Sequence, residues 1–192
     1  MNSNEEKYLD IYCFERINDF PKIAARENIP EFEVRQTYKS IDHYIGAKIG
    51  LSEIETKKLH KKLEPEINKI NKVFSSRFYN QPKRKKGFGD FRNFYNWHQK
   101  QPKKCFYCET DEQLTLELFK KGFFKSKKPS WKGRLEIERK DGEEYTPENC
   151  VLACLFCNNA KADLIKSDDF KEYIAKGFGN YLKTVSKKEL GQ

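Results

Sequence analysis

Cys105-Phe-Tyr-Cys108 and Cys154-Leu-Phe-Cys157 are two CxxC steps, and they enclose the stretch that decides the fold of this protein. Each step can bend around a metal ion. Two steps separated by an insert of this length predict a tetrahedral site of four thiolates, the arrangement found in structural zinc sites. We predict that one zinc ion is bound by all four cysteines: Cys105, Cys108, Cys154 and Cys157. Its predicted role is structural, because four thiolates leave no position for a reactive water.

The insert between the two steps predicts a hairpin followed by a helix. Arg134-Leu-Glu-Ile-Glu-Arg139 alternates polar and apolar residues as a strand does, and Asp141-Gly142 marks a turn. After the loop Tyr145-Thr-Pro-Glu-Asn149, the run Cys150-Val-Leu-Ala-Cys154 is typical of a returning strand. Asn158-Asn-Ala-Lys161 then begins a helix. The predicted order is strand, loop, strand, helix.

Taken in this order, the motifs resemble the HNH endonuclease family, whose ββα-metal site is often bracketed by a four-cysteine zinc site. The resemblance covers roughly the last half of the chain. It rests on Leu135-Glu-Ile-Glu-Arg139, Pro147-Glu-Asn149-Cys-Val-Leu-Ala-Cys154 and Cys157-Asn-Asn-Ala-Lys161. By position, Glu138 stands where the family has its metal-binding Asp, Asn149 where it has a loop Asn, and Asn158 where it has the helix ligand.

The chain departs from the family pattern at Arg139, which takes the place of the general-base His. A guanidinium is charged at any relevant pH and cannot accept a proton from water, whereas an imidazole can. The run Glu138-Arg139-Lys140-Asp141 resembles a phage-associated and homing-type subset that carries Asp-Arg-x-Asp. On this resemblance Asp141 is a further metal ligand or a base, and Arg139 with Lys161 meets phosphate charge.

The resemblance implies a metal-dependent endonuclease that hydrolyses phosphodiester bonds in DNA, with RNA left open, in a restriction, homing or phage-defence role. Its catalytic cation, magnesium or manganese, is expected between Glu138 and Asn158, and Asn149 is expected to hold the loop or the attacking water. An alternative of another class also stays open: a zinc-containing protein that binds nucleic acid without catalysis. A duplex cutter with one site per chain commonly dimerises, so a homodimer is an open arrangement, although the sequence shows no interface.

The composition agrees with an anionic partner. The net charge is +9 at pH 7, and nucleic acid is the commonest anionic partner of a basic soluble chain. The sequence has no secretory apolar segment and no run long enough to span a membrane, so we expect no membrane partner and a cytoplasmic location. In such a reducing compartment cysteines favour metal over disulfides, and we interpret Cys13 and Cys150 as small buried hydrophobic residues.

We expect an α+β protein with a helical N-terminal domain over residues 1–80. A short helix, a break at Asn28-Ile-Pro30 and a longer helix over 31–45 resemble a helix-turn-helix, in which Arg35 and Lys39 would face DNA. The alternative is plain packing in a helical bundle.

Residues 81–90, with four consecutive cations, are predicted to be a basic linker, and residues 91–192 to be the nuclease domain. Phe91, Phe94 and Trp97 are expected in the core beneath the zinc site.

Five cations before the first strand are predicted to attract the phosphodiester: Lys125, Lys127, Lys128, Lys132 and Arg134. Beyond the site, Ser167 is predicted to open a C-terminal helix. Its inward face is expected to carry Phe170, Tyr173, Ile174, Phe178, Tyr181 and Leu182.

Overall fold

Helices make up most of the structure, and the sheet found among the described residues has two antiparallel strands, which agrees with the predicted α+β class. The computed structural model describes residues 2–124 and 133–190. The chain divides into two units. The first comprises Met1–Pro82 and Asp90–Tyr95, and the second comprises Lys83–Gly89 and Asn96–Gln192. Within the described ranges, no helix has the length and apolar character needed to cross a membrane.

The regular elements of the first unit are all helical. They are α1 (Ser3–Leu9), α2 (Phe20–Glu27), α3 (Glu31–Thr37), α4 (Ile41–Ile49), α5 (Glu53–Val73) and the first part of α7 (Phe91–Lys100), with π-helical turns at Asp10–Phe14 and Phe74–Tyr79. Reciprocal capping boxes at Asn2 and Ser52 satisfy free backbone N–H groups at the starts of α1 and α5.

The predicted helix over 31–45 is two helices instead of one. Tyr38 has extended backbone angles and ends α3, and the Ser40 hydroxyl accepts a hydrogen bond from the His43 N–H, which starts α4. Ser at this position caps a new helix more favourably than it continues an old one. The proposed DNA-reading helix therefore shrinks to the seven residues of α3.

The predicted basic linker is also different from the expectation, because it folds as α6 (Pro82–Phe88) and most of it belongs to the second unit. The Phe88 side chain is buried, and its ring centroid lies 5.1 Å from that of Trp97. Phe91 and Phe94, predicted to lie beneath the zinc site, belong instead to the first unit, where both pack on Phe78.

The second unit contains the sheet. Its elements after α6 and the end of α7 are α8 (Glu112–Lys120), β1 (Glu136–Arg139), β2 (Cys150–Ala153), α9 (Leu155–Lys161), α10 (Ser167–Asp169), the π-helical turn Phe170–Ile174 and α11 (Ala175–Leu190). The strands pair in a register that places Glu138 opposite Val151. The predicted order of strand, loop, strand and helix is therefore confirmed.

The start of β1 is fixed by α8. The Leu135 N–H donates to Glu112 Oε1 at 2.9 Å, and the Thr115 hydroxyl donates to the Gly133 carbonyl at 2.5 Å. Gly133 has φ +84, and a Cβ there would lie 2.7 Å from the Thr115 carbonyl oxygen. This tight turn requires glycine and leads directly into β1.

Helix α11 covers a small apolar cluster of Leu118, Leu182 and Val185. The π-helical turn before α11 adds a residue to the local helical repeat and changes which side chains face inward. Tyr173 is 74% exposed and Ile174 is 39% exposed. The expectation that these two residues point inward is wrong, and it is also wrong for Tyr181, which is exposed. Phe170 and Leu182 are buried as expected.

Candidate metal centre and active site

The four CxxC cysteines come together in the second unit, as predicted. All four are buried and free of disulfides, and their Sγ atoms lie within 4.8 Å of one another. The Cys108 and Cys154 sulfurs are 3.7 Å apart. A tetrahedral zinc site with Zn–S bonds of about 2.3 Å places its sulfurs about 3.8 Å apart. The donor set therefore fits a metal ion and is compatible with structural zinc.

Backbone hydrogen bonds shape each CxxC step around this cluster. In the first step the Cys105 N–H donates to the Thr110 carbonyl at 2.9 Å, and Glu109 takes the left-handed conformation with φ +61 that closes the knuckle. In the second step Cys154 caps α9, because its sulfur accepts from the Cys157 N–H at 3.5 Å. The Phe106 N–H bonds the carbonyl of Leu152 on β2 at 2.8 Å, which ties the first step to the sheet.

Four sulfurs at this separation cannot all carry charge unless a cation compensates them. Contact with Cys105 raises the pKa of the Cys157 thiol and lowers that of Cys108. The thiols therefore compete for protons. A zinc ion would remove this competition, because all four cysteines would bind it as thiolates.

Strand β1 faces helix α9 through two pairs of side chains. Glu138 and Lys161 form the first pair, with an oxygen to Nζ distance of 3.5 Å. Lys161 is 2% exposed and Glu138 is buried. Burial raises the pKa of the Glu138 carboxyl above its ordinary value, and this effect exceeds the opposing attraction of Lys161. The shorter contact of Lys161, at 3.0 Å, is its bond to the Ala162 carbonyl.

The second pair joins Asn158 to Glu136, a residue that the sequence analysis did not assign. The Asn158 amide nitrogen donates to Glu136 Oε2 at 2.6 Å. A carboxylate only accepts hydrogen bonds, so this bond fixes the amide with its NH₂ group toward Glu136 and its oxygen turned away. Alternation along β1 could have identified Glu136, because it lies on the same strand face as Glu138.

Asn149 closes the loop between the two strands. Its Nδ2 donates to the Asp141 carbonyl at 2.6 Å and to the Glu144 carbonyl at 2.7 Å, and its Oδ1 accepts from the Asp141 N–H at 3.2 Å. Both amide hydrogens are thus engaged with backbone. Of the two roles expected for Asn149, the geometry favours holding the loop over holding water.

Asp141 lies on this loop with an exposed side chain, and its Oδ1 accepts the Ser167 N–H at 2.9 Å. It lines an open cavity of about 340 Å³ together with Glu143, Lys161 and Asp163. Lys161 contacts Glu138 and also lines this cavity, whereas Glu138 does not line it.

Arg139 is held by two neighbours. Its Nη2 donates to both carboxylate oxygens of Asp163, at 3.0 and 3.1 Å, and its guanidinium carbon lies 5.1 Å from the Tyr145 ring centroid. Its Nε is buried and has no hydrogen-bond partner among the described residues. Between Lys161 and Asp163, Ala162 adopts φ 45 and ψ −142, a conformation that is costly for any residue except glycine.

The expected nucleic-acid contacts are only partly described. Arg134 is exposed just before β1, while Lys125, Lys127, Lys128 and Lys132 lie outside the described residues. In the first unit, Arg35 forms an ion pair with Glu31 at 2.6 Å and lies over the Phe20 ring. Lys39 is exposed in the break between α3 and α4.

The hairpin contains no histidine that could take the place of the general-base His, where this chain has Arg139. His43 and His60 belong to the first unit, and His98 is buried on α7.

Comparisons of the chain with protein-family models, with curated proteins and with solved structures find no match in any of the three.

Proposed function

We propose that the second unit is a metal-dependent nuclease of the HNH type that hydrolyses phosphodiester bonds in DNA. The observation that carries the proposal is the pairing of β1 with α9, in which the Glu136 carboxylate accepts from the Asn158 amide and the buried Glu138 carboxylate faces Lys161. The Glu138 carboxylate is buried with only a 3.5 Å contact to an ammonium group. Such a carboxylate gains more from a divalent ion than from this long contact.

Glu138 and the Asn158 amide oxygen would hold the catalytic cation, magnesium or manganese, because hard ions prefer oxygen ligands. Glu136 orients that amide oxygen, in the way that outer hydrogen bonds commonly orient metal ligands. The cation, when bound, lowers the pKa of a coordinated water and offsets phosphate charge. When no cation is bound, Lys161 supplies a positive charge beside Glu138. Asp141 remains the candidate base at the cavity. Zinc held by the four cysteines would anchor the end of β2 and the start of α9, where Cys154 and Cys157 lie.

The discriminating experiment incubates plasmid DNA with the purified protein and either magnesium or manganese. We expect nicking or linearisation. Glu138→Gln should reduce it roughly a hundredfold or more, with zinc content and melting temperature retained. Glu148→Gln is the matched control, because Glu148 is an exposed glutamate on the loop between β1 and β2. Equal activity of the two variants would refute the assignment of Glu138.

A second candidate function is a zinc module that binds nucleic acid without cutting it. The observation in its favour is that the Lys161 ammonium already faces the Glu138 carboxylate in the buried pair, at 3.5 Å. DNA binding without cleavage at either metal would support this second function over the first. Absence of salt-dependent DNA binding would refute both.

A further inference from the structure

The side chain of Asp141 is held by a backbone group that lies far along the chain. Its Oδ1 accepts a hydrogen bond of 2.9 Å from the N–H of Ser167, the first residue of α10. Asn149 fixes the backbone of Asp141 as well, through bonds to its N–H and to its carbonyl oxygen. A residue tethered at three points loses most of its conformational freedom. The loop therefore presents this exposed carboxylate in one orientation.

The first CxxC step holds Ser167 in place. Its Tyr107 is 2% exposed, and the Tyr107 hydroxyl lies 3.5 Å from the hydroxyl of Ser167, which is buried too. The Tyr107 ring packs edge-on against Phe170, with 5.3 Å between the ring centroids. Ser167 opens α10 and Phe170 follows it directly, so the two contacts fix this short helix on the CxxC step. The cysteine cluster thus reaches Asp141 through Tyr107 and Ser167.

Asp141 also lines the open cavity of about 340 Å³, which a phosphate group can enter. Lys161 lines the same cavity, and its Nζ lies 3.5 Å from Glu138 Oε1. An ammonium group at this place attracts a phosphate toward both carboxylates. Glu138 does not line the cavity, so Asp141 is the carboxylate on the side open to solvent. Among the described residues nothing donates to its Oδ2, which leaves that oxygen able to accept a proton.

We propose that the Ser167 N–H positions Asp141 as the general base of the proposed hydrolysis. This inference rests on the proposed function, and it chooses between the two roles, metal ligand and base, that the motif leaves open for Asp141. Asp141 Oδ2 takes a proton from a water molecule, and the water oxygen bonds to phosphorus as the bond from phosphorus to the leaving sugar oxygen breaks. The leaving oxygen takes a proton from solvent, and Asp141 later returns its own proton to solvent.

Ser167→Pro is the critical variant, because proline has no N–H to donate. Lys166 has φ −60 and ψ 143, the extended conformation that a residue before proline prefers, and proline is favoured at the first position of a helix. Ser167→Ala is the matched variant, since it removes the same hydroxyl but keeps the N–H. Misplacement of a catalytic group by about 1 Å can cost about a hundredfold in rate. Ser167→Pro should therefore lower kcat for plasmid nicking at least about tenfold relative to Ser167→Ala.

The KM for DNA and the magnesium concentration that gives half-maximal activity should stay the same in both variants, because neither binding event uses this N–H. Equal kcat values of Ser167→Pro and Ser167→Ala would overturn the positioning role. A higher half-saturating magnesium concentration in Ser167→Pro would overturn the base role in favour of a metal ligand. A wild-type chain that does not cut DNA would refute the proposed function and this inference together, whereas the first two outcomes refute this inference alone.

Zinc content and melting temperature show whether Ser167→Pro folds. If it does not fold, Asp141→Asn decides, because its amide oxygen can still accept from the Ser167 N–H. A purely structural role of Asp141 predicts full activity for this variant. A general base predicts a loss of about a hundredfold or more in kcat, with the melting temperature retained and with Glu148→Gln as the matched control. Full activity of Asp141→Asn would overturn the inference.

Discussion

Gly87→Ala tests whether α6 is packed on the loop that joins β1 to β2 or is the flexible linker that its composition predicts. The added Cβ would lie 2.1 Å from the carbonyl oxygen of Tyr145 and 2.5 Å from its carbonyl carbon. Both atoms belong to the backbone and cannot rotate away as the end of a side chain can. The helix or the loop must shift by about 1 Å or more, and overpacking of this kind typically costs about 1–3 kcal/mol.

Gly177→Ala provides the matched control. Gly177 also lies within a helix of the second unit, and a Cβ there would meet nothing within 4 Å. Relief of glycine's backbone entropy should stabilise this variant by about 0.5–1 kcal/mol. The two substitutions are chemically identical, so packing alone determines the predicted difference in sign.

The assay is urea unfolding followed by tryptophan fluorescence. Trp97 reports on α6 through its contact with Phe88, and a Trp131→Phe background makes it the only tryptophan. We expect a lower unfolding midpoint for Gly87→Ala than for its parent, and a higher one for Gly177→Ala. If Gly87→Ala were as stable as Gly177→Ala, α6 would not be packed on the backbone of Tyr145.

Two further predictions concern the cysteines. Cys154→Ser should abolish stoichiometric zinc binding, measured by elemental analysis. It should also abolish the cooperative unfolding of the second unit, because metal binding supplies folding free energy. The control Cys150→Ala changes a buried cysteine outside the cluster and should retain one zinc per chain. Burial raises the pKa of the Cys13 thiol from an ordinary value of 9.0 to about 12. The contribution of this thiol to stability is therefore complete below pH 9 and is lost as pH rises from 9 toward 12. Between about pH 8 and about pH 10.5, the wild type should therefore lose up to about 2 kcal/mol more unfolding free energy than Cys13→Ala; equal losses in urea titrations would show that this thiol is not buried.

The cysteine cluster and the order of strand, loop, strand and helix could be predicted from the sequence because both depend on local signals. CxxC spacing brings two sulfurs to one metal without any knowledge of the rest of the chain. Alternation around Ile137 and the turn at Asp141-Gly142 likewise determine the hairpin from neighbouring residues. Position in the motif also identified Asn149, whose bonds to the loop backbone the structure now shows.

Features that depend on distant contacts could not be predicted. The composition of Lys83–Gly89 is typical of a linker, and only the tertiary contacts of Gly87 and Phe88 make it a packed helix. The partner of Asn158 depends on the rotational phase of α9 relative to β1, which brings Asn158 to Glu136 and Lys161 to Glu138. A π-helical turn at Phe170–Ile174 changed the exposure of Tyr173, because a helical projection assumes an unbroken 3.6-residue repeat.

The buried pair of Glu138 and Lys161 is the feature that structural reasoning explains least well if the second unit has no catalytic role. Burial of two opposite charges costs desolvation energy, and the mutual attraction offsets this cost only when geometry is good. Here the contact is 3.5 Å long, and the carboxyl pKa is raised despite the nearby ammonium. Apolar residues of similar volume at both positions would pack between β1 and α9 without this desolvation cost. A buried carboxylate that is poorly compensated by its own fold is better explained as one that a divalent ion completes, and this argument favours the nuclease over the silent zinc module.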